Sequence, residues 1–330
     1  MADASLDVVG IGNAIVDVIA HCDDRFLEQN GLSKGAMTLV DAKAALALYE
    51  KMGPGIESSG GSAANTMAGI ASLGGRSAYI GKVRNDDLGQ VFRHDIRATG
   101  VRYEMAPAEA GPPTARCLVL VTPDAQRTMQ TFLGISADLA PGDLDLALVA
   151  AAKITYLEGY LFDPPAAKDA FRAAARAARE AGRQVALTLS DPFCVARHRK
   201  DFLDLIAGPV DILFANEVEI LSLYEVDRFD DALQAVRGHC EIAALTRSEK
   251  GAVVVAGEEV HVTDAEPVAR VVDTTGAGDL FAAGFLHGLA RGEPLARAAR
   301  IGAIAAAEAI SHLGARPAQP LAALVRSRLA

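Results

Sequence analysis

The sequence has few of the residues that build disulfide frameworks and zinc sites. Its four cysteines are far apart in a chain of 330 residues and show no C-x-x-C spacing. No group of histidines has metal-ligand spacing either. Because disulfide scaffolds and structural zinc sites need such clusters, we expect reduced, partly buried thiols in a cytosolic protein. The cysteines are Cys22, Cys117, Cys194 and Cys240.

The sequence also lacks a long hydrophobic run and an excess of positive charge. Charges or glycines interrupt each apolar stretch before it reaches the length of a membrane span. The acidic N-terminus leads directly into a predicted strand, so we expect no signal peptide and a cytoplasmic location. The formal net charge of −10 argues against nucleic acid or an anionic membrane as a partner. An anionic ligand would therefore need local partners, such as helix N-termini, a metal ion or arginines.

Alternating strands and helices predict the main architecture. A buried first strand covers 6–12, and from about residue 143 strands and helices alternate with short loops, with one helix near 199–206. This alternation is typical of a largely parallel sheet with helices on both faces, which is a three-layer α/β fold. Ligands of such sheets bind beyond the carboxyl ends of the strands. The composition, with 51% hydrophobic and 22% charged residues, fits a globular protein.

Several β-rich pieces interrupt this alternation and predict a second, small sheet. They are an extended piece at 14–20, a strand at 36–40, a strand at 102–106 and a hairpin formed by 114–121 and 127–133. The predicted large α/β domain comprises residues 1–13, 41–100 and 134–330. The predicted small β domain comprises residues 14–40 and 101–133. Nothing in the sequence decides between a monomer and a homodimer.

The segment 272–281, with the sequence VDTTGAGDLF, predicts an extended piece, a glycine-rich turn and a helix over 277–291. Gly276 and Gly278 have no Cβ, so their backbone can approach a ligand, and the N–H groups of a helix N-terminus bind anions such as a phosphoryl group. Asp279 would be repelled by that phosphate, so its useful role is to accept a proton from a hydroxyl that attacks phosphorus. The pattern also fits a purely structural turn, since acids are favoured at helix N-termini.

A second glycine-rich segment, SSGGSAAN at 58–65, precedes another predicted helix. Ser62 is the expected N-cap, and Asn65 lies in the first turn near the paired glycines Gly60 and Gly61. Such a pair fits a simple turn, and it equally fits a hinge or the close-fitting floor of a substrate site.

Other polar residues have a structural and a functional interpretation. Asn216 and Glu219 form a capping-box pattern, and Glu219 could also help to hold a hydrated Mg²⁺; the two roles can coexist. Asp17 fits an outward-facing strand residue, and Arg127 in the hairpin fits either a solvated charge or a ligand contact. Gly10-x-Gly12 weakly suggests a dinucleotide-binding loop, but the third glycine is missing and a β-rich run follows.

These segments together resemble the ribokinase-like (PfkB) family of carbohydrate and nucleoside kinases, over nearly the whole chain. The strongest parts are GGSAAN at 60–65, N-x-x-E at 216–219 and DTTGAGD at 273–279. Within the family the chain is most similar to adenosine kinases, in segments 12–17, 156–160, 187–193 and 212–217. It departs from them at Thr275, where Asn is usual, and at Tyr160-Leu161, where an aromatic pair is expected to stack on a purine.

The resemblance implies roles for residues that the sequence alone leaves open. Asp279 is the general base, and the anion hole is formed by Gly276, Ala277 and Gly278. The substrate residues are Asn13, Asp17, Gly60, Gly61, Asn65 and Arg127. On the nucleotide side the residues are Asn216, Thr246 and Gly251, with Glu219 for Mg²⁺ through water. Asp273 and Thr275 lie where many relatives place a monovalent cation such as K⁺, and the small sheet corresponds to the family's lid.

The implied activity is ATP-dependent transfer of a phosphoryl group to an alcohol of a small molecule. A nucleoside, with adenosine first, is the leading acceptor, and a free sugar such as ribose, fructose or a keto-deoxy sugar acid is the alternative. Two further hypotheses differ in class: a nicotinamide-dependent oxidoreductase built on Gly10-x-Gly12, and a non-catalytic nucleoside or sugar sensor. The intact Gly-Ala-Gly-Asp sequence argues against the sensor.

Overall fold

A computed structural model describes residues 4–124 and 126–329 of the chain. Its strands are β1 (Leu6–Ile11), β2 (Ile15–His21), β3 (Met37–Leu39), β4 (Ile56–Gly60), β5 (Ser77–Ile80), β6 (Ala115–Val121), β7 (Arg127–Phe132), β8 (Ala152–Glu158), β9 (Gln184–Thr188), β10 (Ile212–Asn216), β11 (Ile242–Thr246), β12 (Ala252–Ala256) and β13 (Glu259–Thr263). Its helices are α1 (Asp24–Gln29), α2 (Ala42–Tyr49), α3 (Ser62–Ser72), α4 (Asp87–Ala98), α5 (Leu146–Ala150), α6 (Pro165–Glu180), α7 (Pro192–Ile206), α8 (Glu217–Tyr224), α9 (Phe229–Val236), α10 (Ala277–Ala290), α11 (Leu295–Ala309) and α12 (Leu321–Leu329).

The large sheet has the strand order β13-β12-β11-β10-β9-β8-β1-β5. Its strands from β5 to β11 are parallel, and β12 and β13 continue the sheet in antiparallel orientation. Both faces are buried: Val8 contributes to a core with α3, α10 and α11, whereas its neighbour Val9 contributes to a core with α6, α7 and α8. Because successive residues of a strand point to opposite faces, apolar residues at both positions require helices on both sides. The predicted three-layer α/β fold is confirmed.

The small sheet has the strand order β3-β7-β6-β2-β4. The predicted hairpin is confirmed as the antiparallel pair β6 and β7. One face packs on α1 and α2, because Val16 and Val18 of β2 join the core that contains Leu27 and Leu48. The opposite face carries a smaller apolar cluster formed by Ile15, Ile19, Cys117, Val119, Val121 and Met129. We call this cluster the apolar face of the small sheet.

Two local expectations from the sequence are wrong. Strand β4 pairs with β2 in the small sheet, although 41–100 was assigned to the large domain; its polar and glycine residues gave no strand pattern. Residues 102–106 form no strand, since Arg102 makes only an isolated bridge with Ala78 at the edge of the large sheet. Helix α7 begins at Pro192, where Asp191 caps it, and is kinked at His198; the predicted helix near 199–206 is confirmed as the part of α7 after the kink. The division into two domains itself stays a prediction.

Helix α10 packs very closely on α11. A Cβ built on Gly284 would lie 2.6 Å from the Cα of Gly302, so the two helices meet backbone to backbone at this point. This contact fixes how far α10 lies from α11, and α10 begins with the residues of the predicted anion site. Among the described residues, no helix is long and apolar enough to cross a membrane.

We expect Gly284→Ala to destabilise the protein. The added methyl group would overlap the backbone of Gly302, and overpacking costs about 1–3 kcal/mol. Alanine recovers at most about 1 kcal/mol through its higher helix propensity. Urea unfolding measures the difference. Gly142→Ala is the control, because a Cβ at Gly142 would have no atom within 4 Å. A Gly284→Ala protein as stable as the wild type would show that the two helices can separate freely.

Candidate active site

The glycine-rich turn before α10 forms an open backbone cradle. Gly276 is the N-cap with a φ of 78°, and its carbonyl accepts the N–H of Leu280 at 2.8 Å. The N–H groups of Gly278 and Asp279 have no hydrogen-bond partner among the described residues, as expected in the first turn of a helix. A Cβ on Gly278 would meet no atom within 4 Å. The backbone here can therefore donate to an anion.

Ala277 differs from its predicted place in this cradle. Its N–H donates to the carbonyl of Thr274 at 3.3 Å, which closes the turn. The bond is at the long end of the normal range. A role for Ala277 in the anion hole stays a prediction, and it requires that this N–H be shared with the ligand.

Asp279 is held by two side chains from α3. The hydroxyl of Ser62 donates to Asp279 Oδ1 at 2.6 Å, and the amide of Asn65 donates to Asp279 Oδ2 at 2.9 Å. The pKa of Asp279 is raised, because burial opposes the charged form more than these hydrogen bonds favour it. Ser62 is therefore not the predicted N-cap: Gly61 occupies that position, and Ser62 uses its hydroxyl on the carboxylate. The arrangement provides a proton acceptor in a fixed orientation.

Asn65 has one free acceptor at this site. Its side chain is 5% exposed, and its Oδ1 atom is buried without a hydrogen-bond partner. An unsatisfied buried carbonyl oxygen is costly unless a ligand donates to it. A substrate hydroxyl would supply that donor, as the resemblance implies for Asn65.

Gly61 brings α3 against the segment that follows β1. Its φ is 97°, which a side chain would strain, and a Cβ would lie 2.1 Å from the carbonyl oxygen of Asn13. Only glycine fits this close approach. The backbones of Gly61 and Asn13 therefore form one continuous floor. The substrate contacts that the resemblance implies for both residues stay a prediction.

Asp17 lies on β2 with its carboxylate against the backbone of Gly60. A Cβ on Gly60 would lie 2.3 Å from Asp17 Oδ2, so this glycine provides room for the carboxylate. Among the described residues the carboxylate accepts no hydrogen bond, and burial raises its pKa to about 6. The charges of Arg316 and Arg127 oppose this shift, and that of Asp279 adds to it. The negative charges of Asp17 and Asp279 therefore repel each other, and the oxygens of Asp17 are free to accept hydrogen bonds from substrate hydroxyls.

A buried glutamate at the end of β8 supports this floor. Glu158 is 1% exposed and accepts three hydrogen bonds, from the N–H and Nδ2 of Asn13 and from the N–H of Ala63. Burial raises its pKa to about 7. The carboxylate therefore ties the residue after β1 to the first turn of α3. Glu158 lies within the family-like segment 156–160 but has no motif of its own; the signal that could have identified it is a charged residue at the end of a buried strand.

Arg316 is a second residue that sequence reasoning missed. It follows α11 in a loop, and its guanidinium donates to the carbonyl of Ser59 at 2.9 and 3.1 Å and to that of Ala64 at 2.7 Å. Burial raises the pKa of both Asp17 and Asp279, and the positive charge of Arg316 opposes this rise. Nothing in the local sequence distinguishes this arginine from a solvated one, because its partners are more than 250 residues away.

Arg127 reaches across from the small sheet to the loop before α10. Its guanidinium forms an ion pair with Asp273 and donates to Thr275 Oγ1 at 2.5 Å. Asp273 also accepts the N–H groups of Thr275 and Gly314, at 2.9 and 2.8 Å. The structure thus brings together the predicted cation residues, and it places an arginine between them.

The predicted nucleotide residues meet at the carboxyl ends of two neighbouring strands. Asn216 on β10 lies opposite Thr246 on β11, and Gly251 follows just before β12 with a φ of 80°. Asn216 and Glu219 form a full capping box, with Asn216 Nδ2 donating to Glu219 Oε1 at 2.6 Å. The capping interpretation is therefore confirmed.

Glu219 still suits a hydrated Mg²⁺. Each of its carboxylate oxygens accepts one hydrogen bond from Asn216, so each keeps a lone pair for the hydrogens of a metal-bound water. Burial raises its pKa to about 7, and the charges of Asp191 and Asp279 add to the shift. A divalent cation near these carboxylates would relieve their mutual repulsion. The described residues contain no group of three acidic, histidine or cysteine side chains arranged as direct ligands. Contact of Glu219 with Mg²⁺ through water stays a prediction.

Comparisons with known proteins identify the family. The pfkB family carbohydrate kinase profile matches residues 55–322. The adenosine kinase of Saccharomyces cerevisiae is 28% identical over 329 residues, covering 93% of this chain and 95% of the yeast protein. A crystal structure of adenosine kinase from Sinorhizobium meliloti is 53% identical, with a TM-score of 0.92, over 98% of this chain and 100% of that chain.

A crystal structure from Rhizobium etli, described as a probable sugar kinase, is 50% identical, with a TM-score of 0.93, over 98% of this chain and 99% of that chain. The pfkB profile spans well over half of the present sequence. Members of the family use ATP, typically with Mg²⁺, and transfer a phosphoryl group to a hydroxyl. The chain belongs to the pfkB family of carbohydrate kinases.

Proposed function

We propose that this protein is an adenosine kinase, which transfers the γ-phosphoryl group of ATP to the 5′-hydroxyl of the nucleoside. The observation that carries the proposal is the position of Asp279, which is held by Ser62 and Asn65 beside the unpaired N–H groups of α10. A proton acceptor and an anion cradle at one helix N-terminus are the two parts that attack of an alcohol on a phosphate needs. The 53% identity to a bacterial adenosine kinase supports the same acceptor.

Each residue of the site has its own role in the proposed phosphoryl transfer. The 5′-hydroxyl attacks the γ-phosphorus in line and loses its proton to Asp279. The backbone N–H groups at Gly276 and Gly278 donate to oxygens of the transferred group as its charge develops. Asp17 accepts from the ribose hydroxyls, and the free Oδ1 of Asn65 accepts one more. Holding both hydroxyl and phosphate in this geometry supplies much of the rate.

Asn216 and Glu219 would hold Mg²⁺ through its waters. The metal supplies positive charge that neutralises the phosphate oxygens of ATP. The acidic chain needs this charge, because its net charge of −10 disfavours a nucleotide at long range.

The apolar face of the small sheet supports a nucleoside over a free sugar. Cys117 lies opposite Asp17 in the pairing of β2 with β6, and Val119 lies opposite Ile19. Side chains that bind hydroxyls are thus next to apolar ones. A nucleoside matches this surface with its ribose and its flat base, whereas a free sugar would place hydroxyls against apolar groups.

Tyr160 is the aromatic side chain available for stacking. It is 36% exposed, whereas Leu161 is 1% exposed and packs in the core. The expected aromatic pair is therefore reduced to one ring at the surface. A free sugar stays the alternative acceptor, supported by the similarity to the Rhizobium etli protein. The cytoplasmic location and the choice between monomer and homodimer stay predictions.

A panel of acceptors tests the proposed function. We expect Mg²⁺-dependent consumption of ATP with adenosine, and at least tenfold lower kcat/KM, on the order of 1.4 kcal/mol, with ribose, fructose and 2-keto-3-deoxygluconate. Guanosine and inosine test the base itself. The measurement is a coupled assay of ADP release. Turnover of a free sugar with adenosine inactive would replace the nucleoside by the sugar as acceptor.

We expect Asp279→Asn to fold and to lose at least about a hundredfold in kcat, since positioned proton transfer contributes on the order of 10²–10⁴ in rate. The amide keeps the shape of the carboxyl group, so unfolding curves should match those of the wild type. Asp230→Asn is the matched control, because Asp230 is an exposed acid in the first turn of α9. Near-normal turnover by Asp279→Asn would exclude this carboxylate as the base.

The kcat/KM for adenosine should fall as the pH is lowered through about 6. The pKa of Asp17 is raised to about 6, so below that pH the protonated side chain no longer accepts two hydroxyl donors. The raised pKa of Asp279 acts in the same direction, because a protonated base cannot take the proton. The measurement is kcat/KM for adenosine against pH at saturating Mg²⁺-ATP. The variant Asp17→Asn should lose most of the activity, and its profile should lack the inflection near pH 6 that comes from Asp17. A flat profile from pH 7 to 5 would contradict the assignment.

A further inference from the structure

Arg127, which the resemblance implies as a substrate residue, has its guanidinium held by Asp273 and Thr275. It lies on β7 of the small sheet, and its side chain is 10% exposed, while that of Asp273 is 2% exposed. One guanidinium nitrogen pairs with Asp273 Oδ2 and the other donates to Thr275 Oγ1 at 2.5 Å. The planar fork of arginine suits two acceptors side by side. This is a buried ion pair that links the small sheet to the loop before α10.

The acceptors that Arg127 uses are the ones that a monovalent cation would need. Asp273 Oδ1 accepts the N–H of Thr275, and Asp273 Oδ2 accepts the N–H of Gly314 in addition to the guanidinium. These bonds leave little capacity on the carboxylate for a further ligand. A second positive charge at this place would lie within a few ångströms of the guanidinium and be repelled.

The guanidinium charge of Arg127 is buried and needs compensation from neighbouring groups. Burial lowers the pKa of Arg127, and the negative charge of the Asp17 carboxylate opposes this shift. Arg127 Nε is buried without a hydrogen-bond partner among the described residues, whereas the two terminal nitrogens contact Asp273 and Thr275. Removing the arginine would leave Asp273 as an uncompensated buried carboxylate.

We propose that the guanidinium of Arg127 replaces the monovalent cation at Asp273 and Thr275, so that this enzyme works without activation by K⁺. The inference rests on the proposed kinase function only for its catalytic half. The resemblance implies K⁺ at these residues, and the side chains present do not leave a site for it. The positive charge that supports the loop before α10 comes instead from the small sheet.

The first test compares K⁺ with choline at constant ionic strength, on the full-length wild-type protein. We expect the same melting temperature without any acceptor, and less than about a twofold change in kcat with Mg²⁺-ATP and the acceptor found in the panel. A K⁺-specific rise in the melting temperature, or in kcat alone, would overturn the proposal. The second of these results would mean that Arg127 leaves the site in the working enzyme.

The second test removes the guanidinium. We expect Arg127→Ala to melt at a lower temperature in choline and to regain part of the loss in K⁺, because the cation can then pair with Asp273. Arg116→Ala is the matched control, since Arg116 lies on the neighbouring strand β6 and, among the described residues, forms no ion pair with Asp273. Arg127→Lys retains a positive charge and should show no response to K⁺.

Absence of any K⁺-specific stabilisation in Arg127→Ala would overturn the proposal, and so would a K⁺ response in Arg127→Lys. If Arg127→Ala does not fold, the wild-type and Arg127→Lys measurements still decide. The melting temperatures require no acceptor, so the proposal can fail or survive independently of the proposed function. A protein that phosphorylates nothing in the panel would refute the kinase assignment and leave the K⁺ comparison interpretable.

Discussion

The site depends on one carboxylate that two helices share. Asp279 belongs to the first turn of α10, but its orientation comes from Ser62 and Asn65 in the first turn of α3. The N-termini of both helices therefore converge on the same place, and both favour negative charge. Burial raises the pKa of the carboxyl group in spite of this. A base that is buried, held in one orientation and has a raised pKa is suited to accept a proton during the reaction.

Negative charge is the main electrostatic problem of this cleft. Burial raises the pKa of Asp17, Glu158, Glu219 and Asp279 alike, and the substrate ATP is itself an anion. Two arginines compensate for this negative charge. Arg316 opposes the rise in the pKa of Asp17 and Asp279, and Arg127 forms an ion pair with Asp273. Neither arginine is on the strand or helix of the acid that it balances. The positive charge is therefore supplied only when distant parts of the chain are assembled.

Local patterns predicted the parts of the fold that have local causes. The parallel sheet, the hairpin, the turn before α10 and the capping box at Asn216 follow from periodicity, glycines and short-range hydrogen bonds. The contacts of Ser62, Glu158 and Arg316 could not be predicted from local patterns, because their partners lie far away in the sequence. Ser62 shows the difficulty: its type and position fit an N-cap, and only the neighbouring helix gives its hydroxyl a stronger acceptor. Strand β4 was missed because its pairing with β2 decides its conformation.

The buried Glu158 limits which parts of the site can change when related proteins acquire a different acceptor. Its three hydrogen bonds join Asn13 to Ala63, so the floor of the site behaves as one rigid block that a substitution would disrupt as a whole. The apolar face of the small sheet carries no such network. Side chains such as Ile15, Cys117 and Met129 can vary there without breaking polar contacts that support the base. A change of acceptor is therefore expected to come from substitutions on the apolar face of the small sheet, while the residues of the floor stay the same.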